Sequence, residues 1–221
     1  MNLWTFVGIM LPFFGTALGA AMVYLLKGSM SPRVHKALLG FASGVMVAAS
    51  VWSLLIPAMD HSAHMGRLAF LPAMIGFLLG IAFLLALDKF VPHLHMDCDE
   101  PEGLRCALGR SAMMVMAVTL HNIPEGMAVS VPLISGGMNK GKAVLITALS
   151  GIPTMIGALL GFLLGEIGAL GLAISLGFAS GAMLYVVFGE ILPQAILMYH
   201  SKLPAFSAIF GMLTGLFIIL A

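Results

Sequence analysis

Of the 221 residues, 61% are hydrophobic and 9% charged, with a mean hydropathy of +1.09 and a formal net charge of +1. A soluble domain of this size cannot hide so much apolar surface, and a near-neutral chain without a basic cluster carries no signal for nucleic acid. The bilayer is the solvent that fits, and an all-α, polytopic membrane bundle is the expected fold class.

Apolar runs of roughly the 20 residues needed to span a membrane fall at about 3–26, 36–59, 68–91, 111–134, 142–165, 170–197 and 203–221. Short links join most of them, so residues 1–221 are expected to form one integral membrane domain. The first run has neither a basic leader nor a small-residue cleavage site and reads as a retained span. Residues 39–46 read LGFASGVM and residues 176–183 read LGFASGAM; a proline, Pro57 or Pro193, follows each copy. The neighbours match more loosely, GTALG (15–19) with GALLG (157–161) and GFLLG (76–80) with GMLTG (211–215). Two three-helix repeats are therefore expected, at about 3–91 and 141–221, separated by a polar loop (92–110) and a central segment (111–139). Small residues four apart permit close helix packing in lipid. Duplicated units with a substrate site at their junction recur in secondary transporters.

The junction here holds HNIPEG, beginning at His121. Residues four apart share a helix face, so His121 and Glu125 point the same way, with Asn122 about 100° around. Pro124 lacks an N–H and crowds the carbonyl of Leu120, which frees an oxygen beside that face. An imidazole, a carboxylate and a loose carbonyl form a partial shell for a divalent transition metal. A carboxylate at mid-bilayer depth costs roughly 2.5–3.5 kcal/mol on insertion scales, and the competing reading is a polar knot between helices. The loop PHLHMDCDEPEG offers His93, His95, Asp97 and Cys98 as a metal path to the cytosol, or as solvated charges. DHSAH places Asp60, His61 and His64 at the opposite end of the second run, as an entrance attractor or a surface cap. The spacing of Cys98 and Cys106 is no CxxC and leaves the redox state open. The methionines read as core and lipid-facing filler.

HNIPEG, the run TLHNIPEGMAV around it, and GFASGAMLYVVFGEILPQA resemble the ZIP (Zrt/Irt-like) family of divalent-metal transporters, most closely its GufA-like prokaryotic branch. The resemblance covers nearly the whole chain. It implies transport of zinc as substrate, with iron, manganese or cadmium as alternatives, through a pore in a prokaryotic cell membrane. Carried over by position, His121, Asn122 and Glu125 would be metal ligands, and Glu190 would sit on the inner side of the exit path. No organic cofactor and no nucleic acid is implied; a homodimer stays open. Relatives carry two consecutive central helices with PEG-type motifs where this chain has one. Thr154, in SGIPTM, stands where an acid is expected, so one metal per pore is the safer reading.

Topology is in conflict at this stage. If all seven runs cross once, Lys27, Arg33, Lys36, Lys89, Arg105 and Arg110 face one side and Arg67, Lys140, Lys142 and Lys202 the other, six against four. If the fourth run begins and ends on one side, the division is nine against one, a positive-inside bias, and the repeats become inverted. Yet the 29 residues 111–139 are too few for two crossings of roughly 20 each. Two other functions compete: an intramembrane hydrolase, for which FASG lacks the needed glycine and HExxH is missing, and a degenerate membrane protein that binds metal without transport.

Overall fold

The computed structural model describes residues 3–25, 31–90, 133–134, 137–197 and 201–220. Every regular element among them is helical. In chain order they are α1 (Leu3–Ala21) with a 3-10 turn (Met22–Leu25), α2 (Pro32–Ala48), a π-helical turn (Ala49–Leu55), α3 (Ile56–His61), a 3-10 turn (Ala63–Leu68) and α4 (Phe70–Phe90). After these come α5 (Lys140–Leu149), α6 (Ile152–Glu166), α7 (Ala169–Val186), a second π-helical turn (Val187–Ile191), α8 (Leu192–Leu197) and α9 (Leu203–Leu220). Among the described residues, four helical segments are long and apolar enough to cross a membrane, Arg33–His61, Phe70–Lys89, Lys140–Leu164 and Ala169–Ile196, with a shorter apolar helix at Leu203–Phe217. Large apolar side chains such as Leu78, Phe83, Phe206 and Phe217 face outward, as they do where lipid is the solvent. The chain divides into two compact units, residues 1–35 with 91–159 and residues 36–90 with 160–221.

In the first unit α1 packs on α5. Asn139 caps α5, its side-chain oxygen accepting the Gly141 N–H at 2.8 Å, which satisfies one of the helix's orphan donors. Lys140 Nζ donates to the Val23 carbonyl at 3.3 Å, where the end of the first helical segment offers free acceptors. The fifth apolar run is interrupted: α5 stops at Leu149 and α6 starts at Ile152. Pro153 explains the break, since it cannot donate to the carbonyl of Leu149. Hydroxyls close the gap, Ser150 Oγ donating to the Thr147 carbonyl at 2.7 Å and Thr154 Oγ1 to the Gly151 carbonyl at 2.6 Å.

The second unit carries the repeat. Backbone approach at glycine sets its geometry: Gly177 meets Ala73, Gly181 meets Phe77, and Gly80 meets Phe178, so α4 lies along α7. Residue numbers rise together from Ala73–Gly177 to Phe77–Gly181, and from Gly76–Ile174 to Gly80–Phe178, so the two helices are parallel. In the same way Gly40 meets Pro204, Gly44 meets Ala208 and Gly211 meets Phe41, so α2 lies parallel to α9. The two sets superpose residue for residue: an offset of 137 carries Gly40, Phe41 and Gly44 onto Gly177, Phe178 and Gly181, and an offset of 131 carries Ala73, Phe77 and Gly80 onto Pro204, Ala208 and Gly211. Each repeat thus lends its third helix to the second helix of the other. This corrects the looser alignment of GFLLG (76–80) with GMLTG (211–215), because packing pairs Gly80, not Gly76, with Gly211. Likewise a side chain at Gly15, Gly157 or Gly161 would meet nothing within 4 Å, so the match of GTALG with GALLG marks no close-packed seam among the described residues.

The repeats are inverted. Only Ser62–Ala69 joins α3 to α4, and eight residues reach at most about 29 Å, short of the roughly 43 Å needed to retrace a 29-residue span. Hence α4 runs against α2, and α7, parallel to α4, does too. Where the π-helical turn Ala49–Leu55 meets α7, Ser180 Oγ donates to the Ser50 carbonyl at 2.9 Å, with both serines fully buried.

Candidate functional site

Both long spans of the second unit depart from α-helical register in the same way. In each, the N–H just after the turn reaches five residues back, Ile56 to the Val51 carbonyl and Leu192 to the Val187 carbonyl. Proline two residues beyond each turn supplies the cause. The ring of Pro57 or Pro193 crowds the carbonyl four residues earlier and offers it no proton, and a wider turn relieves the crowding.

Glu190 sits inside the second of these turns and is 7% exposed. The neighbouring positions are unequal: Val187 and Ile191 are buried while Phe188 and Gly189 are exposed. Tyr185, one turn earlier, lies over Gly189, where an added Cβ would stand 3.8 Å from its ring. Its hydroxyl donates to the carboxylate of Asp88 in the last turns of α4. The parallel packing of α4 and α7 therefore brings two carboxylates, Asp88 and Glu190, to the same end of the unit.

The other described site residues lie on other elements. Asp60 and His61 end α3 and are exposed; the α-helix stops there, and His64, also exposed, belongs to the 3-10 turn after Ser62. Asp60 and His64 thus share no continuous α-helix face. Thr154 is half-buried in the first turn of α6 and spends its proton on the helix break. His121, Asn122 and Glu125, like His93, His95, Asp97 and Cys98, lie outside the described residues. Among the described residues no three His, Cys, Asp or Glu side chains gather closely enough to hold a metal ion. Sequence reasoning missed the two π-helical turns and the Tyr185–Asp88 bond. A proline after each LGFASG, 18 residues from Leu39 to Pro57 and 17 from Leu176 to Pro193, was the legible trace of the first.

A polytopic helical bundle with an inverted, exchanged helix pair in its second unit and a carboxylate in a widened intramembrane turn is the build of a membrane transporter. The comparisons narrow this class. The pattern of the ZIP zinc transporter family matches residues 101–221. The zinc transporter ZIPB of Bordetella bronchiseptica is 32% identical over 217 positions, covering 82% of this chain and 69% of that protein. GufA of Myxococcus xanthus, named a zinc transporter, is 31% identical over 216 positions, covering 82% of this chain and 85% of its own. Human ZIP11 is 26% identical, covering 89% of this chain and 90% of that protein. The chain belongs to the ZIP family and is an integral membrane protein. In the GufA comparison 82% of 221 residues is about 181, so about 35 of the 216 positions have no counterpart here, the length of one roughly 20-residue crossing and its link.

Proposed function

We propose that this protein moves divalent transition metal ions, zinc foremost and iron, manganese or cadmium as alternatives, across a prokaryotic cell membrane. The observation that carries the reading is TLHNIPEGMAV, an imidazole and a carboxylate four positions apart in the sequence, in a chain whose relatives are named zinc transporters. His121, Asn122 and Glu125 hold the ion; Asp60, His61 and His64 attract it at one face; Glu190, then His93, His95, Asp97 and Cys98, receive it at the other. Thr154 in place of an acid favours a single ion per pore. The metal is cargo, no organic cofactor takes part, and neither a hydrolase nor a non-conducting relative is supported by any residue cluster described above. Zinc flux into proteoliposomes tests the reading: a protein that binds zinc yet passes none would be the degenerate relative.

Helix directions bear on the central segment. With α4 and α7 parallel, α7 starts on the side where α4 starts. Only Ile167 and Gly168 join Glu166 to α7, the turn made possible by Gly168 at φ +134°. If 140–164 crosses once, it begins on the side where α4 ends, and so residues 91–139 leave and return on one face. Nine of the ten Lys and Arg residues then share that face, with Arg67 opposite, which makes it cytoplasmic. A re-entrant segment bent near Asn122–Gly126 satisfies both this parity and its length. In a background lacking Cys98 and Cys106, single cysteines at Ser111 and Asn139 should both label from the cytoplasmic side. Labelling from opposite faces would mean an ordinary crossing.

Glu190 sits two residues before α8, near the end of its span that this topology makes cytoplasmic. Glu190→Gln is expected to slow zinc flux about tenfold while leaving equilibrium affinity within about twofold, since one tenfold step is about 1.4 kcal/mol and a carboxylate beyond the central site acts on departure. Equal losses in flux and binding would make it a ligand of the central ion instead.

A further inference from the structure

The 137-residue offset that equates the two LGFASG copies carries Ser50–Leu54, inside the turn Ala49–Leu55, onto Val187–Ile191, so the π-helical turns overlap as counterparts. Each ends two residues before its proline, the two prolines standing one residue out of that register. A turn of this kind holds one residue more than an α-helical turn. Resolving it to α-helical register would swing the flanking segments by about 100° and 1.5 Å relative to each other. One further observation indicates that the widened register is not fully satisfied. Hydroxyls within the α-helical segments find acceptors, most of them three or four residues back, as Ser43 to Leu39, Thr147 to Ala143, Ser175 to Leu172 and Thr214 to Phe210. Ser50, inside the first widened turn and 0% exposed, has no acceptor for its Oγ. An unmet buried donor disfavours the register that strands it, while Pro57 and Pro193 favour the same register. Opposed terms of this kind bring two registers close in energy, and the Ser180–Ser50 bond ties the helix of one turn to the backbone of the other.

We propose that the paired π-helical turns are register switches, and that the switch at Val187–Ile191 turns Glu190 between the buried face of its span and the cation path. The proposal rests on the transport reading. Binding at Glu190 takes place in one register and release in the other, so cations leave in step with the change. The mirrored turn at Ala49–Leu55 moves with it through Ser180.

The test scans single cysteines across residues 184–196 in the full-length protein lacking Cys98 and Cys106, probed with a membrane-impermeant thiol reagent and paired with zinc flux. In the parent, accessibility should follow a helical period whose phase breaks at 187–191. Pro193→Ala should restore one unbroken period and lower flux at least fivefold with zinc affinity within twofold. Ser50→Ala, which removes the stranded donor and so favours the widened register, should slow flux while keeping the phase break. It also stands as the second arm should Pro193→Ala fail to fold. An unchanged phase in Pro193→Ala, an unbroken phase in the parent, or full flux in both variants would overturn the switch. Absent zinc flux in the parent together with the expected phase changes would instead remove the transport reading and leave the two registers in place.

Discussion

Gly44→Val should prevent accumulation of a folded, monodisperse protein. A Cβ at Gly44 would run into the Ala208 carbonyl and stand 2.6 Å from the Met212 backbone nitrogen, so no side-chain rotation can make room. Overpacking that flexible neighbours absorb costs about 1–3 kcal/mol, and a rigid backbone-to-backbone seam should exceed the upper figure. Gly181→Val, its counterpart against Phe77, should fail in the same way. Gly157→Val should not, because a Cβ there meets nothing within 4 Å, and surface changes usually stay within about 0.5 kcal/mol. Size-exclusion profiles and thermal melts of the three detergent-purified variants check this. Normal behaviour of Gly44→Val would refute the exchanged packing of α2 and α9.

The other large effect concerns the ion itself. His121→Ala or Glu125→Ala should each lower zinc or cadmium affinity at least tenfold, about 1.4 kcal/mol or more, because on one helix face they supply the two strongest donors of the proposed shell. Calorimetry on purified protein reads the loss directly. Wild-type binding in both variants would place the ion elsewhere and remove the basis for the central site.

Much of the fold was legible because lipid imposes simple rules. Long apolar runs between short links had to be spanning helices, and LGFASG, written twice, announced the repeat. The exchange of third helices was not legible: Gly80 pairs with Gly211 through contacts to Phe178 and Phe41, and sequence similarity alone had aligned Gly76 with it instead. Nor could composition show that the fifth run breaks at Ser150–Gly151, although Pro153 was in plain view, because many membrane helices carry proline without stopping. At the site, the carboxylate of Glu190 was recognisable from FGEILP. The widened turn around it was not, since a π-helical turn leaves no residue type of its own, only a proline at a fixed distance. The clustering of Asp88 with Tyr185 depends on two helices lying parallel, which no local pattern encodes.

The exchanged helices also bear on how the chain is made. During synthesis α2 leaves the ribosome well over a hundred residues ahead of α9, the helix that covers its glycine face. Through that interval the seam of Gly40 and Gly44 stands open to lipid and to any passing small-residue helix, including the α9 of a neighbouring nascent chain. Contacts so distant along the sequence form late and expose a chain to mispairing. The protein's yield in a cell should therefore be more sensitive to expression rate than its final stability would suggest.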